Sequence, residues 1–169
     1  GRLNRRSLFK GLTAGAVAST IPLSSGCGVE QGSHARGVKN GRINQSVVSW
    51  CFASHWSVEE TCEQAKRLGC TSIELIDSKS WPILKEYGLT CAISGIPVEG
   101  KPFIKGYNNP SYHPMLIEAT KTAIDESADF GCPNVIAFTG YEENFSLEEG
   151  AKNCVEGFKK VAGYAEEKG

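Results

Sequence analysis

Residues Ala65–Asp77 read AKRLGCTSIELID, and the stretch changes its period in the middle. Ala65 and Leu68 continue an apolar face begun by Val58, Thr61 and Cys62, spaced as a helix requires. Gly69 predicts the stop, since glycine takes the left-handed cap conformation without a steric penalty. Thr71–Ile76 then reads as a short buried strand. The same order of helix end, glycine, cysteine and strand recurs in ADFGCPNVIAF, Ala128–Phe138. A parallel strand pair needs a crossover of this kind, so the repeat predicts an α/β fold with right-handed βα units.

Working outward, four such units follow one another. The predicted strands are Ile43–Trp50, Thr71–Ile76, Leu89–Ser94 and Asn134–Thr139. The first helix opens at Trp56–Ser57, where Ser57 and Glu60 form a capping box, and Ser146 with Glu149 repeats the device before the last. A short helix spans about Lys79–Tyr87, with Trp81-Pro82 in its first turn, and a longer one spans Pro114–Phe130. Gly95–Tyr112 is a long loop. In the last helix Leu147, Ala151, Cys154, Val155, Phe158, Ala162 and Ala165 form an apolar stripe. The chain closes on YAEEKG, Tyr164–Gly169, where the repeat calls for a fifth strand.

Two architectures accommodate four βα units: an open doubly wound sheet, or the first half of an eight-unit TIM (β/α)8 barrel. The first βα turn, SWCFASHWS, has neither G-x-G-x-x-G nor a Walker loop, which removes the main reason for a dinucleotide fold. The pattern alone leaves both architectures standing; the partial barrel, with residues 41–169 as its N-terminal half, is what the family resemblance of Arg42–Phe52 and Ala65–Asp77 implies.

Charge divides the chain. Seven of the 18 Lys/Arg but one of the 19 Asp/Glu fall at or before Arg42, leaving 11 basic against 18 acidic residues beyond it. Such an acidic body repels phosphate backbones, so no nucleic-acid partner is expected. The basic start, NRRSLFKGLTAGAVASTIPL (Asn4–Leu23), resembles a twin-arginine export signal, with residues 1–38 as signal and linker and a periplasmic destination. Ser33-His34-Ala35 resembles a cleavage site, and Cys27 is the alternative, a lipid-anchor cysteine. A membrane would be met only through that leader. The seven cysteines form no C-x-x-C and read as structural thiols.

In parallel βα folds ligands meet the C-terminal strand ends. Glu74 is the most informative residue there. Alternation along TSIELID sends Ile73 and Leu75 to the helix layer and Glu74 to the barrel interior, where a carboxylate needs a donor, a cation or a proton. Trp50 and His55 follow strand one; Asn108 and His113 follow strand three.

The blocks RINQSVVSWCF (Arg42–Phe52), AKRLGCTSIELID, WPILKEYGLTCAISG (Trp81–Gly95) and GYNNPSYHP (Gly106–Pro114) together resemble hydroxypyruvate isomerase-like proteins, among the xylose isomerase-like barrels. The likeness runs from about Gly41 to the end. It implies a small-molecule substrate, a divalent metal (Mg or Mn) holding the two oxygens of an α-hydroxycarbonyl, and two glutamates passing a proton through an enediol. It places the metal ligands and both glutamates on strands five to eight, beyond these residues. It implies no catalytic or metal-binding residue here, and makes Glu74, Trp50, His55, Asn108 and His113 the substrate-side contacts. The alternatives are an exported non-catalytic sugar- or acid-binding barrel, a sugar epimerase of the same superfamily, and a metal-dependent endonuclease, against which the acidic body speaks.

Overall fold

The computed structural model describes residues 37, 40–101 and 103–169. Apart from Gly37, the export leader and its cleavage and anchor readings lie outside the described residues. Eight elements alternate along the chain: β1 (Ser46–Val48), α1 (Val58–Leu68), β2 (Ser72–Glu74), α2 (Trp81–Glu86), β3 (Ser94–Gly95), α3 (His113–Phe130), β4 (Val135–Ile136) and α4 (Leu147–Lys168).

Local chemistry sets the helix ends. Both capping boxes form: Ser57 accepts from the Glu60 N–H and Ser146 from the Glu149 N–H, while each glutamate accepts from the cap's own N–H. Gly69 and Gly131 close α1 and α3 at φ of 87°. Ser57→Ala and Ser146→Ala each remove acceptors from a helix start. Each is expected to cost about 1 kcal/mol, read as a shift in the urea midpoint with unchanged m-value.

The strands are parallel. In β1 and β2, Ser46, Val47 and Val48 stand opposite Ser72, Ile73 and Glu74. In β3 and β4, Ser94 and Gly95 stand opposite Val135 and Ile136. A parallel bridge from Ser72 to Thr90 joins the two pairs, with Ile73 N–H donating to Thr90 O at 2.9 Å and Leu75 N–H to Ile93 O at 3.0 Å. Spatial order therefore follows chain order, without the reversal that defines a doubly wound sheet.

Every strand is shorter than the sequence predicts. The Ile43–Trp50 run breaks into a 3-10 turn at Ser49–Cys51. Thr71–Ile76 ends early because Leu75 takes φ of 51°, a left-handed conformation costly for a branched side chain. That twist overturns the expected alternation past Glu74: Ile76, not Leu75, joins the core against the helices. The Leu89–Ser94 run lies along β2 but forms a ladder only at Ser94–Gly95, with β4.

Two apolar clusters pack between sheet and helices. One joins Cys62 and Ala65 of α1, Ile73 of β2, and Trp81 and Leu84 of α2 to Leu89, Cys91 and Cys132. The other joins Ile96, Leu116 and Ala123 to Cys154 of α4 around the fully buried Tyr107. The Tyr107 hydroxyl donates to Leu116 O at 3.2 Å and meets Thr120 Oγ1 at 2.7 Å, so burial leaves no polar atom of the ring unpaired.

The α4 stripe is rotated from its expected position. The buried positions are Cys154, Gly157 and Val161, whereas Leu147 and Val155 face outward. Gly157 explains the rotation: a Cβ there would sit 2.3 Å from Tyr107 Cδ1, so the helix approaches the ring through its side-chain-free position.

A polar tether joins α3 and α4. Tyr164 Oη donates to Asp125 Oδ1 at 2.7 Å and Lys168 Nζ lies 2.6 Å from the same oxygen. Lys168 first, then Tyr164, hold the Asp125 carboxyl below its ordinary 3.8. A depressed folded pKa stabilises above the unfolded value and loses that contribution as pH falls through the folded value. Asp125→Asn should therefore melt below wild type at neutral pH, with the gap closing in acid below the ordinary carboxylate range. A gap that held or widened in acid would remove this role.

Candidate functional site

The strand ends carry the chemistry-bearing residues. β2 leaves its ladder at Glu74, and the left-handed Leu75 turns the chain toward Asp77, whose Oδ1 accepts from Lys79 N–H at 3.0 Å. β3 runs out through Ile96 and Pro97, and β4 through Phe138. Between these ends lies a cavity of 540 Å³. Trp50, Leu75, Trp81, Ile96, Phe103 and Phe138 make its apolar wall, and Asp77, Ser94 and Glu126 are the polar residues that line it. Phe103 stands edge-on to Phe138, ring centroids 6.3 Å apart. The cavity suits a small ligand with a few oxygens and a carbon face.

Trp81 is 5% exposed, stacks on Phe130 at 4.6 Å, and its indole N–H has no partner among the described residues. The N–H is sealed from the cavity, so Trp81 presents it a ring surface and not a donor. The sequence signal for Trp81, a tryptophan in a helix's first turn after a strand end, reads as ordinary core.

Only one of the five residues expected to face substrate, Trp50, lines this cavity. It is 66% exposed on the turn after β1. Glu74 is half-buried on the sheet face opposite Ile73, where the Ser46 hydroxyl donates to its Oε1. Its donor is thus a serine at the neighbouring strand's start, and Oε2 has no partner among the described residues. His55 is exposed, in the loop between β1 and α1. His113 is buried at the start of α3 with Nε2 2.9 Å from Tyr107 O.

Asn108 ties together the neighbouring loops. Its Nδ2 donates to Tyr141 O at 2.6 Å, its backbone carbonyl accepts from Asn153 Nδ2 at 2.9 Å, and its Oδ1 is buried without a partner among the described residues. His113 and Asn108 thus hold the loop that follows β3 against the end of β4. Asn109 and Tyr112 extend the clamp, each donating to Glu143, at 2.6 and 3.3 Å. Glu143, beside Tyr112, pushes that phenol's pKa up.

No group of three or more His, Cys, Asp or Glu side chains converges among the described residues. The described residues therefore hold no divalent-metal cluster of their own, and the resemblance places its metal ligands on later strands.

The fold finds counterparts in solved structures. An AP endonuclease of family 2 from Brucella melitensis superposes with a TM-score of 0.57 at 17% identity, over 73% of this chain and 51% of that one. A sugar phosphate isomerase/epimerase from Parabacteroides distasonis gives 0.53 at 15% identity, over 80% and 52%. The likeness is one of fold. The chain spans about half the length of the structures it matches. The sequence matches no family model, and no curated protein matches it significantly.

Proposed function

We propose that these residues are the first four βα units of an eight-unit barrel that isomerises small α-hydroxycarbonyl compounds, of the hydroxypyruvate to tartronate semialdehyde type. The observation that carries the reading is the set of parallel strands in chain order, with Glu74 on the face opposite the helices and a small-ligand cavity at the strand ends. The isomerase/epimerase from Parabacteroides distasonis shares this fold.

In this reading Trp50 covers the carbon face of the substrate. Glu74, oriented by Ser46 on the sheet face away from this cavity, meets only a substrate that extends over the strand ends to that face. The wall of Leu75, Ile96, Phe103 and Phe138 keeps water from an enediol, which would otherwise be lost to side reactions. His55 stands over the mouth, while His113 and Asn108 act by fixing the loop after β3. The proton-transferring carboxylates and metal ligands belong to later strands of the longer protein.

The endonuclease shares the fold as well, but a body with 11 basic and 18 acidic residues repels a phosphate backbone. The test is a turnover assay with hydroxypyruvate and Mg or Mn. The full-length protein is expected to form tartronate semialdehyde, and residues 41–169 alone to form none. Turnover by residues 41–169 would overturn the placement of the catalytic groups. No turnover by the full-length protein would overturn the substrate class.

A further inference from the structure

The β3–β4 register has a chemical consequence. The ladder itself pairs Ser94 with Val135 and Gly95 with Ile136; the same register continued back three residues on each segment would bring Cys91 beside Cys132. The register is held beside the pair by Ser94 N–H donating to Asn134 O at 2.9 Å and Asn134 Nδ2 donating to Ala92 O at 3.0 Å. Neighbouring parallel strands lie about 4.8 Å apart, inside the Cα separation that a disulfide spans. Both cysteines belong to one apolar cluster, and both are free thiols. Each donates to the carbonyl two residues ahead, Cys91 to Ile93 at 3.3 Å and Cys132 to Asn134 at 3.4 Å. Two thiols thus share one register, one cluster and one orientation pattern.

We propose that Cys91 and Cys132 are a disulfide-forming pair, oxidised by a small-molecule or protein disulfide while the β3–β4 contact is open and sealed when the core closes over it. Cys132, 6% exposed, is the nearer to solvent; Cys91 is fully buried. In the balanced step the Cys132 thiolate attacks one sulfur of the oxidant, for instance oxidised glutathione, and expels one glutathione thiolate. The Cys91 thiolate then attacks the Cys132 sulfur of the mixed disulfide and expels the second. Two protons and two electrons pass from the cysteines to two glutathione thiols. In the closed fold burial, and after it the neighbouring Cys132 thiol, push Cys91 up to about 12. Its thiolate is therefore scarce until the strands part, which makes the closed state slow to react.

The experiment refolds the full chain from denaturant in oxidised and reduced glutathione, then alkylates free thiols and maps peptides. The expected product carries a Cys91–Cys132 cross-link, and its melting temperature lies roughly 5–10 °C above the reduced protein, since 40 residues separate the two cysteines. The same glutathione mixture added to folded, reduced protein should form the link at least about 100-fold more slowly. In Cys91→Ser and Cys132→Ser the remaining partner should stay alkylatable. If a variant does not fold, wild-type peptide mapping alone decides. Recovery of both thiols alkylated after oxidative refolding, or Cys91 linked to Cys62, would overturn the pair. Equal rates for folded and refolding protein would overturn the sealing. None of these outcomes depends on the proposed isomerase activity.

Discussion

Glu74→Ala in the full-length protein is expected to lower kcat/KM for hydroxypyruvate by about 100-fold or more, with the melting temperature little changed. The carboxylate sits half-buried on the helix-free face of β2, with one oxygen held by the Ser46 hydroxyl and the other without a partner among the described residues. A group so placed is oriented but not satisfied. In the proposed reading its removal takes hydrogen bonds from the substrate, while the fold loses only one serine's acceptor, about 1 kcal/mol. Glu74→Gln separates charge from shape: it keeps an acceptor for Ser46, and a comparable loss of activity would identify the negative charge as the working feature. Unchanged kinetics in both variants, with lowered stability in Glu74→Ala, would make Glu74 an anchor for β1 and nothing more.

Gly106→Ala should be the most damaging single substitution for folding. A Cβ at this position would lie 2.0 Å from Gly140 N and 2.1 Å from Thr139 C. Both atoms are backbone, so no side chain can turn aside to relieve the clash. The two segments are joined here by Tyr107 N–H to Phe138 O at 3.1 Å and Asn108 N–H to Thr139 O at 2.8 Å. Forcing them apart breaks these bonds and lifts Tyr107 out of the second cluster. The expected cost is about 3 kcal/mol or more, a fall of roughly 10 °C in melting temperature. Gly163→Ala is the control, since its added Cβ meets nothing within 4 Å. Within α4 it should stabilise by about 0.5–1 kcal/mol. A Gly106→Ala protein that melted with wild type would mean that the loop after β3 does not pack on the end of β4.

How much of this was legible in the sequence depends on how far each determinant reaches along the chain. The capping serines and the glycine stops act within one helical turn, and SVEE and SLEE announced α1 and α4 directly. The order of strands and helices followed from the change of period at Gly69 and Gly131. Strand lengths were less legible: nothing local to TSIELID announces that Leu75 leaves the strand in a left-handed turn. The candidate site was legible as a place, the strand ends, and in Trp50, but less so in its members. Trp81, Phe103, Phe138 and Glu126 reach the cavity from four separate segments. His113 looked like a mouth residue by position, yet its ring is spent on Tyr107 O.

The sequence by itself determined the alternation of β and α, the helix termini and the split between a basic start and an acidic body, because each depends on neighbours or on composition alone. Only the tertiary structure decided that Glu74 takes its donor from Ser46, that α4 turns Gly157 rather than Leu147 inward, and that Cys91 and Cys132 share one buried cluster. Those relations join residues 28 to 50 positions apart, set by register and close packing between elements, and no short stretch of sequence contains both partners.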